Sequence, residues 1–429
     1  MKRYLFLLYF LTSWSVQSQS VLTLEQCYEA ARTNYPLLKQ KEILAQNGEL
    51  AIENLNKNRR LPQLAVNGQA TWQSQVTKLP IELPNFSVPT LSKDQYRITL
   101  DASYALYDGN LTQLQSEVQR ASTASAQQQV EIELNRLKDQ VDALFLNALL
   151  TDENLILTQA ILADLANRLE KFRANVRFGT VAQMDVDGLE AELLTARQRL
   201  AQLDATRSGL RESLALLTDL PISDSTKLVV EVLPNQVKVG NEMEVASEVE
   251  QGRPELQLYQ AQRSLYDAQF RLTANKTKPR LSLFAQGGGG RPGLNFLSND
   301  FKGFFIGGLR LNWNLSSAYT LNNDRQMIML NRQIVDIQQA TFEKNLSVQL
   351  RQQQTEIDKL TAQLATDAEI AALRTRVRQA AAVQLDNGAI AARDYTALLN
   401  AENQAQLNQK LHELQLVSAR IQYRTLAGN

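Results

Sequence analysis

The sequence holds one cysteine, Cys27, and one histidine, His412. A single thiol makes no intrachain disulfide or thiolate cluster, and a single imidazole makes no multi-histidine metal site. A Ser-His-Asp or Cys-His catalytic system would have to use His412, which stands 17 positions from the end (429 − 412) in a helical stretch. No other acid–base or nucleophile constellation is visible, so an enzyme is the least favoured reading. Charge of one sign is also missing. Lys+Arg and Asp+Glu are both 45, giving 45 − 45 = 0, and the basic excess expected of a nucleic-acid partner is absent. Proline and glycine are few, 10 and 18 in 429 residues. They cluster, leaving long stretches rich in Gln, Ala, Leu and Glu that read as helix. Mean hydropathy is −0.29. Past the N-terminus no run of 18 apolar residues recurs, so any crossing of a membrane must use strands. The length allows about three ordinary domains.

What is present begins with a leader. Lys2 and Arg3 supply a positive start, Tyr4 to Leu11 an apolar run, and Ser13 to Ser20 a small polar stretch. This predicts a signal peptide over 1–20, with cleavage near Ser18 or Ser20. The apolar run falls short of the roughly 20 residues a spanning helix needs. Cys27 follows Glu25-Gln26 rather than small residues, so it reads as a buried apolar side chain and not a lipid anchor.

The mature chain is two similar halves. Gly179, Val181, Ala182 and Asp185 fall in step with Gly388, Ile390, Ala391 and Asp394 at an offset of 388 − 179 = 209. The same offset places Leu100 on Leu309 and Leu106 on Leu315, and it grows to 217 at Pro62/Pro279 and 218 at Pro36/Pro254. Four anchors in agreement mark an internal duplication. Each half holds two segments of period 2. Tyr96, Ile98, Leu100, Ala102, Tyr104 and Leu106 alternate with Arg97, Thr99, Asp101 and Ser103; Leu64, Val66, Ala70 and Trp72 alternate with Asn67, Gln69 and Thr71. In the second half Phe305, Leu309, Leu311, Trp313 and Leu315 oppose Arg310, Asn312 and Asn314. Leu281, Leu283 and Ala285 oppose Ser282 and Gln286, with Phe284 out of pattern. Strict alternation puts one face in an apolar medium and the other in water. The expected strands, about 62–74, 95–107, 279–287 and 303–315, have the length of tilted membrane strands, and Trp72, Tyr96, Tyr107 and Trp313 suit interfacial girdles. Lys78 to Asp94, with three prolines, and Gly287 to Lys302, with four consecutive glycines, are the expected outer loops. The glycine run is no phosphate loop, since no Lys-Ser/Thr follows it.

Between the strand pairs lie heptads. Val130, Leu134, Leu137, Val141, Leu144 and Ala148 recur at steps of three and four, and the seam continues through Leu155, Leu162, Leu165, Leu169, Phe172 and Val176. A helix over 109–178 would be ~100 Å long. A return helix over 182–219 follows the turn at Gly179, in antiparallel coiled-coil packing. The second half repeats this with helices over 320–386 and 390–427, and its seam carries more Gln and Arg. The expected organisation is a first repeat over 21–219, a connector over 220–243 and a second repeat over 244–429. Four strands cannot close a barrel, and an open sheet edge in lipid leaves backbone groups unpaired at several kcal/mol each. The barrel must be shared. Two chains would give eight strands and a filled interior; three would give twelve and a lumen.

The opening Leu22-Thr23-Leu24-Glu25-Gln26-Cys27 with Ala30 and Pro36, the strand pairs and the paired turns at Gly179 and Gly388 resemble the TolC-type outer-membrane efflux proteins over essentially the whole mature chain. The resemblance implies a mixed α and β membrane protein, a homotrimer with a twelve-stranded β-barrel and a periplasmic α-helical tunnel. It implies partnership with a periplasmic adaptor, an inner-membrane pump and outer-membrane lipid, and neither a catalytic centre, a cofactor nor a metal. It assigns Gly179, Thr180, Val181, Ala182, Gly388, Ala389, Ile390 and Ala391 to adaptor contact at the periplasmic tip. It also assigns Asp394, with Asp185 as first-half counterpart, to the tunnel entrance, where three copies would form a ring. The chain departs from the family pattern at Ala397, where a second acidic residue is usual, and at Leu385 and Ile390, where Tyr and Arg flank the turn. Arg173, Arg177, Arg376 and Arg393 are candidates for a different latch.

Simpler roles exist for the same residues. Gly179 and Gly388 end helices in a left-handed conformation. Asp185 and Asp394 sit in first helical turns, where the dipole favours a carboxylate. His412, on a Gln-rich helix, reads as solvated or groove-lining. Two function classes remain: a passive exit duct, and a periplasmic coiled-coil scaffold without a pore. The lipid-length strand pairs favour the duct.

Overall fold

The computed structural model describes residues 21–77, 90–179, 181–230, 253–295 and 298–428. The expected leader, Thr180, most of the connector and most of the first strand-pair loop lie outside these residues. The chain divides into two compact units, one of Met1–Leu38, Glu133–Arg253 and Asn345–Asn429, the other of Lys39–Ile132 and Pro254–Lys344.

The second unit holds the sheet. Its strands are β2 (Gln63–Trp72), β3 (Asp94–Tyr107), β5 (Arg280–Arg291) and β6 (Lys302–Asn312), all antiparallel in the order β2-β3-β5-β6. Paired residues share a face, so the register sorts the side chains. Leu100 pairs with Val66 and Gly287, and Gly287 with Phe305, on one face; Asp101 pairs with Ala65 and Gln286 on the other. The first face is apolar and uncovered: Leu64, Val66, Trp72, Ile98, Leu309 and Leu311 are between 55% and 72% exposed. A soluble sheet would cover such a face, because each buried CH₂ is worth about 0.8 kcal/mol.

The four glycines expected in the second loop are inside β5, which runs on to Arg291. Periodicity cannot register residues without side chains. The pairing shows why glycine is there: a Cβ on Gly288 would lie 2.2 Å from the Ile98 carbonyl oxygen and 2.8 Å from Thr99 Cα. Phe284, out of pattern in the sequence, pairs with Ser103 and Gly308 on the polar face, beneath the guanidinium of Arg310.

The strand-to-helix corner after β3 is built by Asp108-Gly109-Asn110. Gly109 and Asn110 both have positive φ, +69° and +70°. The Asp108 carboxylate accepts from the backbone of Asn110 (2.9 Å) and Thr112 (3.0 Å) and from the Thr112 hydroxyl (2.7 Å). That caps the next helix, α3 (Leu111–Arg177), 67 residues without an internal break. Within this unit α2 (Leu37–Arg60), the start of α3, α5 (Pro254–Ala274) and the start of α6 (Ser317–Asp386) are tied by Lys41–Glu131 (2.5 Å), Arg271–Glu117 (3.1 Å) and Arg332–Asp267 (3.2 Å).

The first unit contains α1 (Leu24–Asn34), the rest of α3, α4 (Gln183–Thr218), the rest of α6 and α7 (Ala392–Leu426), with a small parallel pair of β1 (Val21–Thr23) and β4 (Lys227–Val229). Thr23 caps α1 in a reciprocal box with Gln26. The core there is Leu24, Cys27, Tyr28, Leu137, Val141, Phe145, Leu214 and Ile421 among others. Cys27 is fully buried, and burial pushes its thiol up to about 12, so it behaves as an apolar residue. The Tyr28 hydroxyl donates to buried Asp142. Arg211, 4% exposed, ties the residues after α4 to α3, donating to the Ser223 and Thr226 carbonyls (2.6 and 2.9 Å) and to Asp152 (2.8 Å). Among the described residues, no helix is long and apolar enough to cross a membrane.

Candidate functional site at the paired helix turns

The two glycine turns are built alike. Gly179 and Gly388 have φ of +71° and +70°, with no atom within 4 Å of a Cβ placed on either. Glycine is required by the backbone angle, not by crowding. The amides of Gly179 and Gly388 close the last helical turns onto Val176 and Leu385 carbonyls, each at 3.0 Å. Each returning helix starts from an alanine in extended conformation, Ala182 (φ −74°, ψ 143°) and Ala391 (φ −78°, ψ 156°), neither giving a side-chain cap. Asp185 and Asp394 then stand three residues in, their amides bonded to the Ala182 and Ala391 carbonyls at 3.1 Å. With a poor cap, a carboxylate at this place compensates the exposed N–H groups and the dipole, worth about 0.3–1 kcal/mol. Asp394 is exposed and lies 3.5 Å from its neighbour Arg393, while Asp185 is half-buried.

Both turns rest on one apolar cluster. Leu165, Leu169 and Phe172 of α3, Val186, Leu189 and Leu193 of α4, Ala381 and Leu385 of α6, and Ala392, Tyr395 and Leu399 of α7 pack together. Val181 and Ile390 cover its edge. Turn residues placed in separate halves by the sequence are thus brought against one cluster. Ala182 and Ala389 are exposed there, as are two side chains assigned no role in the sequence, Phe178 (81%) and Met184 (73%).

Behind the turns lies a charged cluster that the sequence did not reveal. Tyr395 is fully buried, and its hydroxyl donates to Asp164 Oδ2 at 2.7 Å. Arg168 donates through Nε to the same oxygen at 2.9 Å, stacks 4.0 Å above the Tyr395 ring, and reaches Asp386 at 3.5 Å. One arginine therefore joins α3 to both helices of the second pair. Burial, then the hydrogen bond to Asp164, push the Tyr395 phenol up to about 12, so the proton stays on the phenol as a donor. Arg378 and Glu402 form a second pair (Nε–Oε2 2.6 Å), with Glu402 only 5% exposed. The duplication shows what changed: by the 209 offset Arg378 stands where the first half has Leu169, Glu402 where it has Leu193, and Tyr395 where it has Val186.

Of the four arginines considered as a latch, Arg173 pairs with Glu190 (2.8 Å), joining α3 to α4 within one helix pair, and Arg393 meets Asp394. Neither links the two pairs; Arg168 does. The signal available in the sequence was Asp164-x-x-x-Arg168 on an otherwise apolar seam, but its partner Tyr395 is 231 residues away. His412 is half-buried and groove-lining, the second of the two expected settings. Its Nδ1 lies 2.6 Å from Asp367 Oδ2, with side chains 22% and 11% exposed. Among the described residues no three His, Cys, Asp or Glu side chains are grouped as metal ligands.

No protein-family model and no curated protein matches the sequence. Solved structures do. The Campylobacter jejuni CmeC outer membrane channel superposes with TM-score 0.70 at 13% identity, over 97% of this chain and 90% of that one. The outer membrane protein VceC from Vibrio cholerae gives 0.67 at 12%, over 95% and 96%. The open state of the Neisseria gonorrhoeae MtrE outer membrane channel gives 0.66 at 17%, over 94% and 89%. The chain has the fold of the TolC-type outer-membrane efflux channels.

Proposed function

We propose, with the fold of an outer-membrane efflux channel as the premise, that this chain is the outer-membrane exit duct of a tripartite export system. It is a passive homotrimer, not an enzyme. It resides in the outer membrane with its helices in the periplasm, and it is opened by a periplasmic adaptor and powered by an inner-membrane pump. One observation carries the reading: a four-stranded sheet with one uncovered apolar face, one polar face and, among the described residues, two free edges, β2 and β6. The apolar face suits lipid, the polar face suits a lumen, and the edges require neighbouring copies. Three copies supply twelve strands.

The turn end of the helices is the adaptor contact and entrance. Gly179, Thr180, Val181, Ala182, Gly388, Ala389, Ile390 and Ala391 form the docking turns, with Phe178 and Met184 as added apolar anchors, and Asp185 and Asp394 give the entrance its charge. Opening must separate the helix pairs, so the Asp164–Arg168–Tyr395 cluster is the contact that parts. The adaptor supplies the shift by binding the open state better than the closed one. Planar-bilayer conductance of the purified, processed protein tests the reading. Discrete channel currents that Asp394→Ala makes less sensitive to multivalent cations are expected. Absence of any current would leave a periplasmic scaffold.

A further inference from the structure

The polar face of the sheet is not neutral. Its charged residues are Arg97 and Asp101 on β3, Arg280 on β5, and Lys302 and Arg310 on β6, as the register assigns them; β2 offers only uncharged side chains on this face. That is four cations against one anion, 4 − 1 = +3 per chain. The apolar face carries only Asp94 and Arg291, which pair with each other at 3.6 Å at the strand ends.

How the charges are held decides what they do. The single anion, Asp101, is occupied by uncharged donors: Asn67, Gln286 and Thr99 (3.0 Å). Two of the cations lie on aromatic rings, and Arg310 also acts on Asp101, more weakly than the uncharged donors do. The Arg310 guanidinium sits 4.6 Å from the centroid of Phe284, and that of Arg97 5.7 Å from the centroid of Phe304. Glycines flank both rings in the register. Gly308 faces Phe284, and a Cβ there would lie 3.3 Å from the ring; Gly288 and Gly290 leave β5 bare between Arg97 on β3 and Phe304 on β6. A π face orients a guanidinium without neutralising its charge. Lys302 has Asp300 at 3.7 Å, so it contributes less.

We infer that this face makes the sheet end of the duct an anion-attracting exit, with Arg97 and Arg310 setting the charge preference and small anionic solutes as the favoured class. The inference rests on the reading that copies of the chain close a barrel with this face inward. Basic side chains repeated around a pore, with low-dielectric walls, focus a positive potential that raises the local concentration of anions.

The test uses the full processed protein in planar bilayers under a KCl gradient. The Arg97→Gln/Arg310→Gln double variant is expected to move the reversal potential toward potassium, and Arg97→Lys/Arg310→Lys to keep the wild-type value. Tripolyphosphate added to wild-type channels is expected to block from the sheet side more strongly than from the turn side, which needs no variant to fold. Normal conductance with a reversal potential unmoved by the double Gln change, or an absence of side-dependent tripolyphosphate block, overturns the inference. A protein that carries no current overturns the channel reading beneath it, a result distinct from either.

Discussion

Tyr395 shows how much one side chain can carry. It fills the centre of an apolar cluster, bears the stacked Arg168 on its ring, and donates to Asp164. Tyr395→Phe keeps the packing and removes one hydrogen bond to a partly exposed carboxylate, a loss of about 1 kcal/mol. If the cluster holds the entrance shut, Tyr395→Phe and Arg168→Met raise mean single-channel conductance while the mass of the assembly stays the same. Unchanged conductance with a lowered melting temperature would assign the cluster to folding alone. Asp142 gives a pH prediction. Burial pushes its carboxyl from 3.8 to about 6, with the Tyr28 hydrogen bond acting in the opposite sense. The folded state therefore binds the proton more tightly than the unfolded state does. The resulting stability is fully present below the unfolded value and is lost as pH rises through about 6, a change of roughly 3 kcal/mol. Melting temperature measured across this range should fall with pH in the wild type and flatten in Asp142→Asn. An equal slope in both would contradict the assignment.

The strands and turns make sharper predictions as elements. Leu309 lies on the apolar face and Ser103 on the polar one. Leu309→Arg should cost roughly 2–4 kcal/mol in a bilayer, whereas Ser103→Arg should be close to neutral. Folding titrations into lipid vesicles measure the difference, and equal costs would mean the sheet does not face lipid. Gly288→Ala should break the β3–β5 pairing, because its Cβ has no space beside Ile98 and Thr99. Gly388→Ala has space, and should cost only the ~1–2 kcal/mol of a left-handed backbone. Much of this level was legible in the sequence. Alternation gave the two faces of β3, and heptads gave the long helices, because both patterns are local. The glycine strand was not legible, since period 2 needs side chains to be seen. Phe284 broke the pattern for a reason visible only in the register, where Gly308 and Arg310 make a polar-face site for a ring. The Asp164–Tyr395 contact and the His412–Asp367 pair join residues far apart in sequence, and nothing local announces such partners.

At the scale of the whole molecule, closure of the sheet is the governing constraint. Among the described residues the sheet ends at β2 and β6, and an unpaired strand edge in hydrocarbon costs several kcal/mol for each open N–H or C=O. The proposed assembly of copies around a central passage gives the polar sheet face and the duplicated turns a common purpose. The most direct measurement is the protein mass of the detergent-extracted, outer-membrane-fraction material by light scattering. Three processed chains are expected, close to three times the 48.2 kDa of the full sequence less its leader. A monomer in the soluble periplasmic fraction would contradict this assembly.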